Sequence, residues 1–310
     1  MTQVLGGTGG PAGPATVRPV TAPQAADLAA LAPLIAGGGV VVLSGAGLST
    51  ESGIPDYRGP TGLARRAQPM TYQAFTGGAA ARQRYWARSH EGWRHIAAAA
   101  PNDGHRAVAE LERRGLLAGI ITQNVDGLHQ AAGAQQVTEL HGSLSRVRCL
   151  GCGARSSRRE LDRRLREANP GWERRAAHAS RAAPVNPDGD AVLTDAEIDG
   201  FAVVDCAGCG GVLKPDVIFF GENVPRARVE DCYALVGRSR TLLVLGSSLT
   251  VMSGYRFVRH AASLALPVAI INQGATRGDP DATLTLNAPL GPTLTSLPAH
   301  LSAYPSRETR

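Results

Sequence analysis

The sequence predicts an α/β fold, a doubly wound parallel sheet with a small metal-binding module inserted into it. Four short apolar runs, Val40–Leu43, Leu116–Thr122, Thr241–Leu245 and Val268–Ile271, each end in a polar or glycine-rich loop. Segments with helical spacing of apolar residues lie among them, the alternation expected of a parallel sheet with helical crossovers. Between Cys149 and Cys209 the composition turns arginine-rich and strand-poor, and that stretch is bounded by two C-x-x-C pairs. Open sheets of this kind bind ligands beyond the carboxyl ends of their strands. The chemistry is therefore to be sought in the loops.

In chain order, Ala25–Ile35 reads as a helix leading into the Val40 strand. The next segment is the most informative one: Gly45-Ala46-Gly47-Leu48-Ser49-Thr50-Glu51-Ser52-Gly53-Ile54-Pro55-Asp56-Tyr57-Arg58-Gly59. Tight glycines after a buried strand let backbone approach a phosphate, and the following helix start offers free N–H groups to the charge. The third glycine of G-x-G-x-x-G is missing, and a long polar tail takes its place. A helix follows around Arg82–Ile96, and another over about His105–Arg114 stops at Gly115. The Leu116–Thr122 strand opens into Gln123-Asn124-Val125-Asp126-Gly127-Leu128-His129. Val137–Leu140 reads as a strand closing on His141-Gly142, and Val217–Phe220 as another. Gly246-Ser247-Ser248 and Asn272-Gln273-Gly274 follow the last two strands.

A chain of 310 residues with 43% hydrophobic and 5% aromatic content can bury a sizeable core. No apolar stretch reaches the ~20 residues that span a bilayer. Residues 1–27 are Gly-, Pro-, Thr- and Ala-rich and read as a disordered leader without signal- or transit-peptide character, so a cytoplasmic protein is expected. The +6 net charge rests on arginine, since Lys214 is the sole lysine. That bias, with abundant Ala and Gly, reads as the mark of a GC-rich bacterial genome rather than of nucleic-acid binding.

Five cysteines in such a protein argue for metal or chemistry rather than disulfides. Cys149-x-x-Cys152 and Cys206-x-x-Cys209 let four thiolates converge tetrahedrally on Zn²⁺ at about 2.3 Å. Four protein ligands leave no open position, so the zinc is expected to be structural. Cys232 reads as a core residue. Between the pairs, Leu161, Leu165 and Ala168 share a helical face, with Glu160–Arg164 and Asp162–Arg166 as i,i+4 pairs. His90, His95 and His105 fall on helices and read as surface residues, and His129 as a local hydrogen-bonding or packing residue. Asp56 reads equally as a catalytic or a loop-bracing carboxylate.

Taken together the motifs resemble those of the sirtuins, the Sir2-type NAD-dependent protein deacylases, from about Leu31 to about Thr295. The resemblance rests on Gly45–Arg58, Thr122–His129, His141-Gly142, the two cysteine pairs, Leu213–Glu222, Gly246–Leu249 and Ile271–Gly274, in the family's order. It implies a Rossmann-like NAD-binding domain over 28–144 and 213–300, a zinc module over 145–212, a helical cofactor and substrate segment over 60–100 and a flexible tail over 301–310. It also implies that NAD loses nicotinamide at the ribose and that the acyl-amide oxygen attacks the resulting centre, yielding 2′-O-acyl-ADP-ribose. Asn124 and Asp126, with Ile54, would hold the nicotinamide carboxamide, and Asn124 counts with His141 as catalytic. Gln123 would meet the ribose, Arg58 and Gly45, Ala46 and Gly47 the pyrophosphate, and Gly246, Ser247 and Asn272 the adenosine. Ser49, Asp56, Tyr57, Val125, Ser248, Gln273, Gly274 and Leu290 join the cofactor set. His141 would be the general base, since an imidazole near its ordinary pKa of ~6.5 suits proton removal from a ribose hydroxyl. Val217, Phe220, Gly221 and Glu222 would line an acyl-lysine peptide added as a strand.

Within the family the chain resembles class II and the subgroup of animal sirtuin four, through Arg82–Arg88, the insert with Asn169-Pro170-x-Trp172 and Pro187–Asp190, and Ser253–Phe257. Tyr85 and Arg88, at i,i+3, resemble a Y-x-x-R pair that binds a distal acyl carboxylate, which implies a preference for acidic acyl chains. Mono-ADP-ribosyl transfer and lipoamide removal are alternatives within the family. A dehydrogenase is disfavoured because Gln-Asn follows the second strand where a ribose-binding acid is expected. A zinc-ribbon nucleic-acid module has only arginine content behind it. Tyr57 and Ser253-Gly254 depart from the family's usual Phe and Pro-Ala. No sequence feature sets the oligomeric state.

Overall fold

The computed structural model describes residues 24–57, 69–172, 186 and 188–304. Arg58, most of the leader and the tail beyond residue 304 lie outside these. The sheet is the one expected. β1 (Val40–Ser44), β2 (Leu117–Thr122), β3 (Val137–Glu139), β7 (Thr241–Leu245), β8 (Val268–Asn272) and β9 (Leu284–Asn287) form six strands in the order β3-β2-β1-β7-β8-β9, all paired in parallel. β1 and β7 are buried at every position, because helices cover both faces of the sheet and no residue faces water. One face packs on α1 (Ala25–Ala36), α4 (Asp103–Arg113) and α10 (Leu290–Leu301), through Leu31, Val108 and Leu294. The other packs on α8 (Arg226–Gly237) and α9 (Met252–Ser263), through Cys232, Val236 and Phe257. The order runs outward in opposite directions from β1 and β7. Their carboxyl ends therefore form the crevice where doubly wound sheets bind ligands.

A second, antiparallel sheet, β5-β4-β6, comprises β4 (Gly142–Cys149), β5 (Arg155–Ser157) and β6 (Leu213–Val217). Here a sequence expectation is corrected. The strand before the last glycine loops is Leu213–Val217 and belongs to this small sheet, whereas Val217–Phe220 was expected as a strand. Pro215 is accommodated because β6 is an edge strand. The apolar run beyond it, Ile218–Phe220, instead leaves the sheet, and Phe219 buries its ring against Tyr85 and Phe75. β9 was not anticipated, because Thr-Leu-Asn after a single leucine carries little apolar signal.

The small sheet packs with α2 (Tyr72–Gly77), α3 (Ala79–Ala98), α6 (Arg158–Ala168) and α7 (Asp195–Ile198) around Trp86, Trp172 and Phe201. Leu161 and Leu165 are buried as expected, but Ala168 is exposed. Asp162 pairs with Arg166 at 2.8 Å, whereas Glu160 pairs with Arg163 at 2.7 Å rather than with Arg164, which donates to the Asp205 carbonyl.

Two histidines expected at the surface are buried. His90 sits 2.7 Å from Asp162 and faces Trp172 and Phe201. His105, at the start of α4, lies edge-on to His129, whose Nε2 is 2.8 Å from Ser44 Oγ. Burial, reinforced by their mutual proximity, holds His105 down to about 3, and burial alone holds His129 down to about 4. Ser44 also donates to Thr122, so this neutral pair sits under the ends of β1 and β2. Among the described residues no helix is long and apolar enough to cross a membrane.

Candidate active site

The carboxyl edge of the large sheet and the mouth of the small module enclose one cavity of about 790 Å³. Its floor is a contact between two loops. Gly47 donates its N–H to the Gly246 carbonyl at 2.8 Å, and a Cβ on Gly45 would stand 2.7 Å from the Ser247 Cβ. The glycines are thus needed first to let the β1 and β7 loops touch.

The second loop is fastened to the first. Asn124 donates through Nδ2 to the Gly45 carbonyl at 3.1 Å and to Ser49 Oγ at 3.0 Å. Ser49 in turn donates to Asp126 Oδ2 at 2.7 Å, while Asp126 Oδ1 accepts from the Leu128 N–H. Burial is the main influence on the Asp126 carboxyl and raises it, although these two hydrogen bonds pull the other way. Gln123 Nε2 donates to Ser247 Oγ at 2.8 Å, which joins the second loop to the third. In the fourth loop Asn272 Nδ2 bonds the Gly274 carbonyl at 2.9 Å, and Gly274 N–H bonds Asn287 Oδ1.

His141 stands between β3 and β4. Its Nδ1 lies 3.0 Å from the Gln123 carbonyl, an acceptor only, so that nitrogen carries the hydrogen. Nε2 is then the basic nitrogen, 2.9 Å from Ser253 Oγ. Burial lowers the His141 pKa from its ordinary value, the Gln123 carbonyl opposes this, and the Arg228 and Arg256 charges add to it. Such a group is neutral and ready to accept a proton near neutral pH.

The cavity gathers most of the residues singled out from sequence. Gly45, Ala46, Gly47, Ser49, Ile54, Asp56 and Tyr57 line it from the first loop, and Gln123, Asn124, Val125, Asp126 and His141 from the second loop and beyond β3. Gly246, Ser247, Ser248, Asn272, Gln273, Gly274 and Leu290 line it from the third and fourth loops and the last helix. Tyr85, Val217, Phe220, Gly221 and Glu222 form the opposite wall. Glu222 is committed to bracing: it accepts from Lys214 Nζ at 2.9 Å and from the Phe219 N–H.

Arg88 is placed differently. It is not among the described residues lining the cavity, and its Nε donates to the Ala191 carbonyl at 2.9 Å while Ala191 N–H returns a bond to the Arg88 carbonyl. Asp188, two residues before Asp190 on the same insert loop, lines the cavity instead. Burial raises both carboxyls, Asp190 well above its ordinary value. Sequence reading named Asp188 and Ser253 only as marks of a subgroup and gave neither a role in the cavity, and it passed over Met70, Leu144 and Ile96, which stand in no motif with a chemical signature of its own.

The four cysteines expected to bind metal converge. Their Sγ atoms all lie within 4.8 Å of one another, with Cys149–Cys209 at 3.5 Å and Cys152–Cys206 at 3.9 Å. Tetrahedral ligation at 2.3 Å places sulfurs about 3.8 Å apart, and disulfides need about 2.05 Å. The set therefore fits a four-coordinate zinc ion. The Cys152 backbone N–H pulls the Cys149 thiol down to about 6; Cys209, lowered by a backbone bond from Gly211, is nonetheless driven up to about 12 by Cys152 and Cys149. A shared cation would relieve that crowding. Chelation is expected to loosen the β4-β5-β6 module and quench its native near-ultraviolet circular dichroism, with one zinc released per chain. Folded, active protein free of zinc would overturn this.

The sequence model of the Sir2 family matches residues 45–253. NAD-dependent protein deacetylase 1 of Streptomyces coelicolor is 62% identical over 275 residues, covering 89% of this chain and 90% of that protein. Its counterpart in Mycobacterium avium is 52% identical over 89% of this chain and 96% of that protein. Among solved structures, one described under the mechanism and regulation of Sir2 enzymes superposes with a TM-score of 0.69 at 27% identity, covering 90% of this chain and 99% of the other. A Sir2 variant with a deacetylated peptide and 3′-O-acetyl ADP-ribose gives 0.69 at 28% identity, covering 87% and 96%. On the strength of the family match and these identities, the chain belongs to the Sir2 family.

Proposed function

We propose that the chain is an NAD-dependent protein-lysine deacylase that releases nicotinamide and 2′-O-acyl-ADP-ribose. The observation that carries this reading is the placing of His141, with Nε2 as its basic nitrogen, on the wall shared by the four strand-end loops and the Val217–Glu222 segment. The relatives named NAD-dependent protein deacetylases support the same reading. NAD is consumed as a substrate, its ribosyl carbon becoming the electrophile. Gly45–Gly47, Gly246–Ser248 and Asn272 are assigned to its phosphates and adenosine. Asn124 and Asp126, which Ser49 holds rigidly, are assigned to the nicotinamide end. His141 takes the ribose hydroxyl proton, so that the oxygen can accept the acyl group. Val217–Glu222, braced by the Lys214–Glu222 ion pair, is the segment along which the acyl-lysine peptide docks. The cysteine cluster keeps the small module folded and takes no part in the reaction.

For the acyl group, an acidic chain is supported by the cationic Arg88 one helical turn from Tyr85, whose ring lines the cavity. Asp188 in the same wall and the bond from Arg88 to Ala191 favour a short neutral acyl group such as acetyl. The neutral reading is therefore placed first. Incubating the protein with NAD and a panel of acyl-lysine peptides, with products followed by mass spectrometry, tests all of these at once. Nicotinamide with O-acyl-ADP-ribose is the expected outcome, and kcat/KM for acetyl above glutaryl is the expected order. ADP-ribosylated protein would show a transferase, and NADH a dehydrogenase. Glutaryl turnover above acetyl that collapses in Arg88→Met would reverse the acyl assignment.

A further inference from the structure

Ser253 stands in the first turn of α9, 112 positions after His141, yet its hydroxyl lies 2.9 Å from the His141 Nε2. The Gln123 carbonyl can only accept, so it fixes the hydrogen on Nδ1 and leaves a lone pair on Nε2. The Ser253 hydroxyl therefore donates to the nitrogen that has to act as the base. Both side chains line the cavity.

The neighbouring residue makes this reach available. A Cβ on Gly254 would stand 2.5 Å from Gln123 Oε1, so glycine lets α9 close on the residue whose carbonyl orients His141. A larger residue at position 254 would have to displace the Gln123 side chain, whose Nε2 is bonded to Ser247 Oγ. Proline at position 253 would carry no hydroxyl, and alanine at 254 would press on the Gln123 side chain. The Ser-Gly pair thus gives this chain a contact that the Pro-Ala pair cannot make.

We propose that Ser253 is a positioning residue for the general base, and the proposal rests on the reading of His141 as that base. A hydroxyl donates to the neutral imidazole and, by turning its O–H aside, accepts from the protonated one. The ring therefore keeps a single orientation before and after it takes the ribose proton. The incoming ribose hydroxyl replaces Ser253 as the donor to Nε2, and its proton passes to that nitrogen. Ser253 then accepts the new N–H. No bond to Ser253 itself is made or broken.

Departure of nicotinamide needs no base, whereas the later acyl transfer does. The test measures both in wild type, Ser253→Ala, Ser253→Thr and His141→Ala, as isotopic nicotinamide exchange into NAD and as O-acyl-ADP-ribose formation. Ser253→Ala is expected to lower kcat for acyl transfer about tenfold, the worth of one hydrogen bond to a group that becomes charged. Nicotinamide exchange and KM for NAD should stay within twofold of wild type. Ser253→Thr, which keeps the hydroxyl, should recover most of the rate. Nitrogen-15 shifts of the His141 ring should show the Nδ1–H tautomer in both wild type and Ser253→Ala, with the Nε2 resonance displaced in the variant by loss of the hydroxyl donor. Equal loss of exchange and acyl transfer would mark Ser253 as merely structural and overturn the proposal. So would wild-type kinetics in Ser253→Ala alongside an inactive His141→Ala. Acyl transfer that survives in His141→Ala would overturn the assignment of the base itself, a distinct result.

Discussion

Replacing His141 with alanine is expected to lower deacylation by about 10²–10⁴-fold, the usual worth of a positioned general base. Nicotinamide exchange should persist, because the Gly45, Gln123 and Gly246 loops that hold the nucleotide are bonded to one another and do not depend on the imidazole. The pH profile of the wild type carries the same signature. Burial lowers the His141 pKa, with Arg228 and Arg256 contributing in the same direction and the Gln123 carbonyl against. A base must be neutral to act, so kcat should hold as pH falls to the ordinary histidine value of ~6.5 and decline only below it. Stopped assays of O-acyl-ADP-ribose from pH 5 to 8 would show this. A rate already falling between pH 8 and 7 would contradict the assignment, as would near-normal deacylation by His141→Ala.

The largest effect on stability should come from acid acting on His105 and His129. Both are neutral in the folded protein, held down to about 3 and about 4, whereas in the unfolded chain each takes a proton near 6.5. Because the folded values are depressed, their neutral burial costs nothing above 6.5. Stability is lost progressively as pH falls from 6.5 toward 4, where the unfolded state binds protons that the folded state refuses. Each histidine contributes about 1.4 kcal/mol per pH unit in that window, so the pair removes roughly 4 kcal/mol by pH 5. Against a typical total of about 5–15 kcal/mol that is a large share. Urea midpoints at pH 7, 6 and 5 should fall, less steeply than the pair alone dictates because the raised Asp188 and Asp190 carboxyls gain stability on protonation, and His129→Gln should flatten the slope even if it lowers stability at pH 7. A midpoint unchanged between pH 7 and 5 would sink this account.

How much of this was legible in the sequence depended on how local the signal was. β1, β2, β7 and β8 were readable because strands buried on both faces are continuous apolar runs, and their loops because glycine, asparagine and aspartate have few structural uses at strand ends. The cysteine cluster was readable from spacing alone. The burial of His90 and His105 was not, since a histidine's neighbours on its own helix do not reveal what other elements bring: Trp172 and Phe201 for the first, His129 for the second. The Ala191 contact of Arg88 was hidden for the same reason. Its helical phase beside Tyr85 was visible, but Ala191, which takes its hydrogen bond, lies on an insert whose path no periodicity foretells. The contact of Ser253 with His141 spans two elements and had no pattern to betray it.

The Glu51 carboxylate accepts the Gly291 backbone N–H at 3.1 Å, across 240 positions of sequence, and Leu290 beside it completes the cavity wall. During synthesis the glycine loop therefore emerges from the ribosome long before the helix that closes over it. At about 5–20 residues per second, the 240-residue gap lasts roughly 12–48 seconds. For most of it the nascent chain can pair β1 with β2 but lacks β7, whose Gly246 turn supports Gly45 and Gly47, and for all of it the last helix is missing. A nucleotide-competent pocket is thus a late product of translation. Nascent chains arrested before residue 290 should fail to retain NAD, whatever helix and strand content they have already acquired.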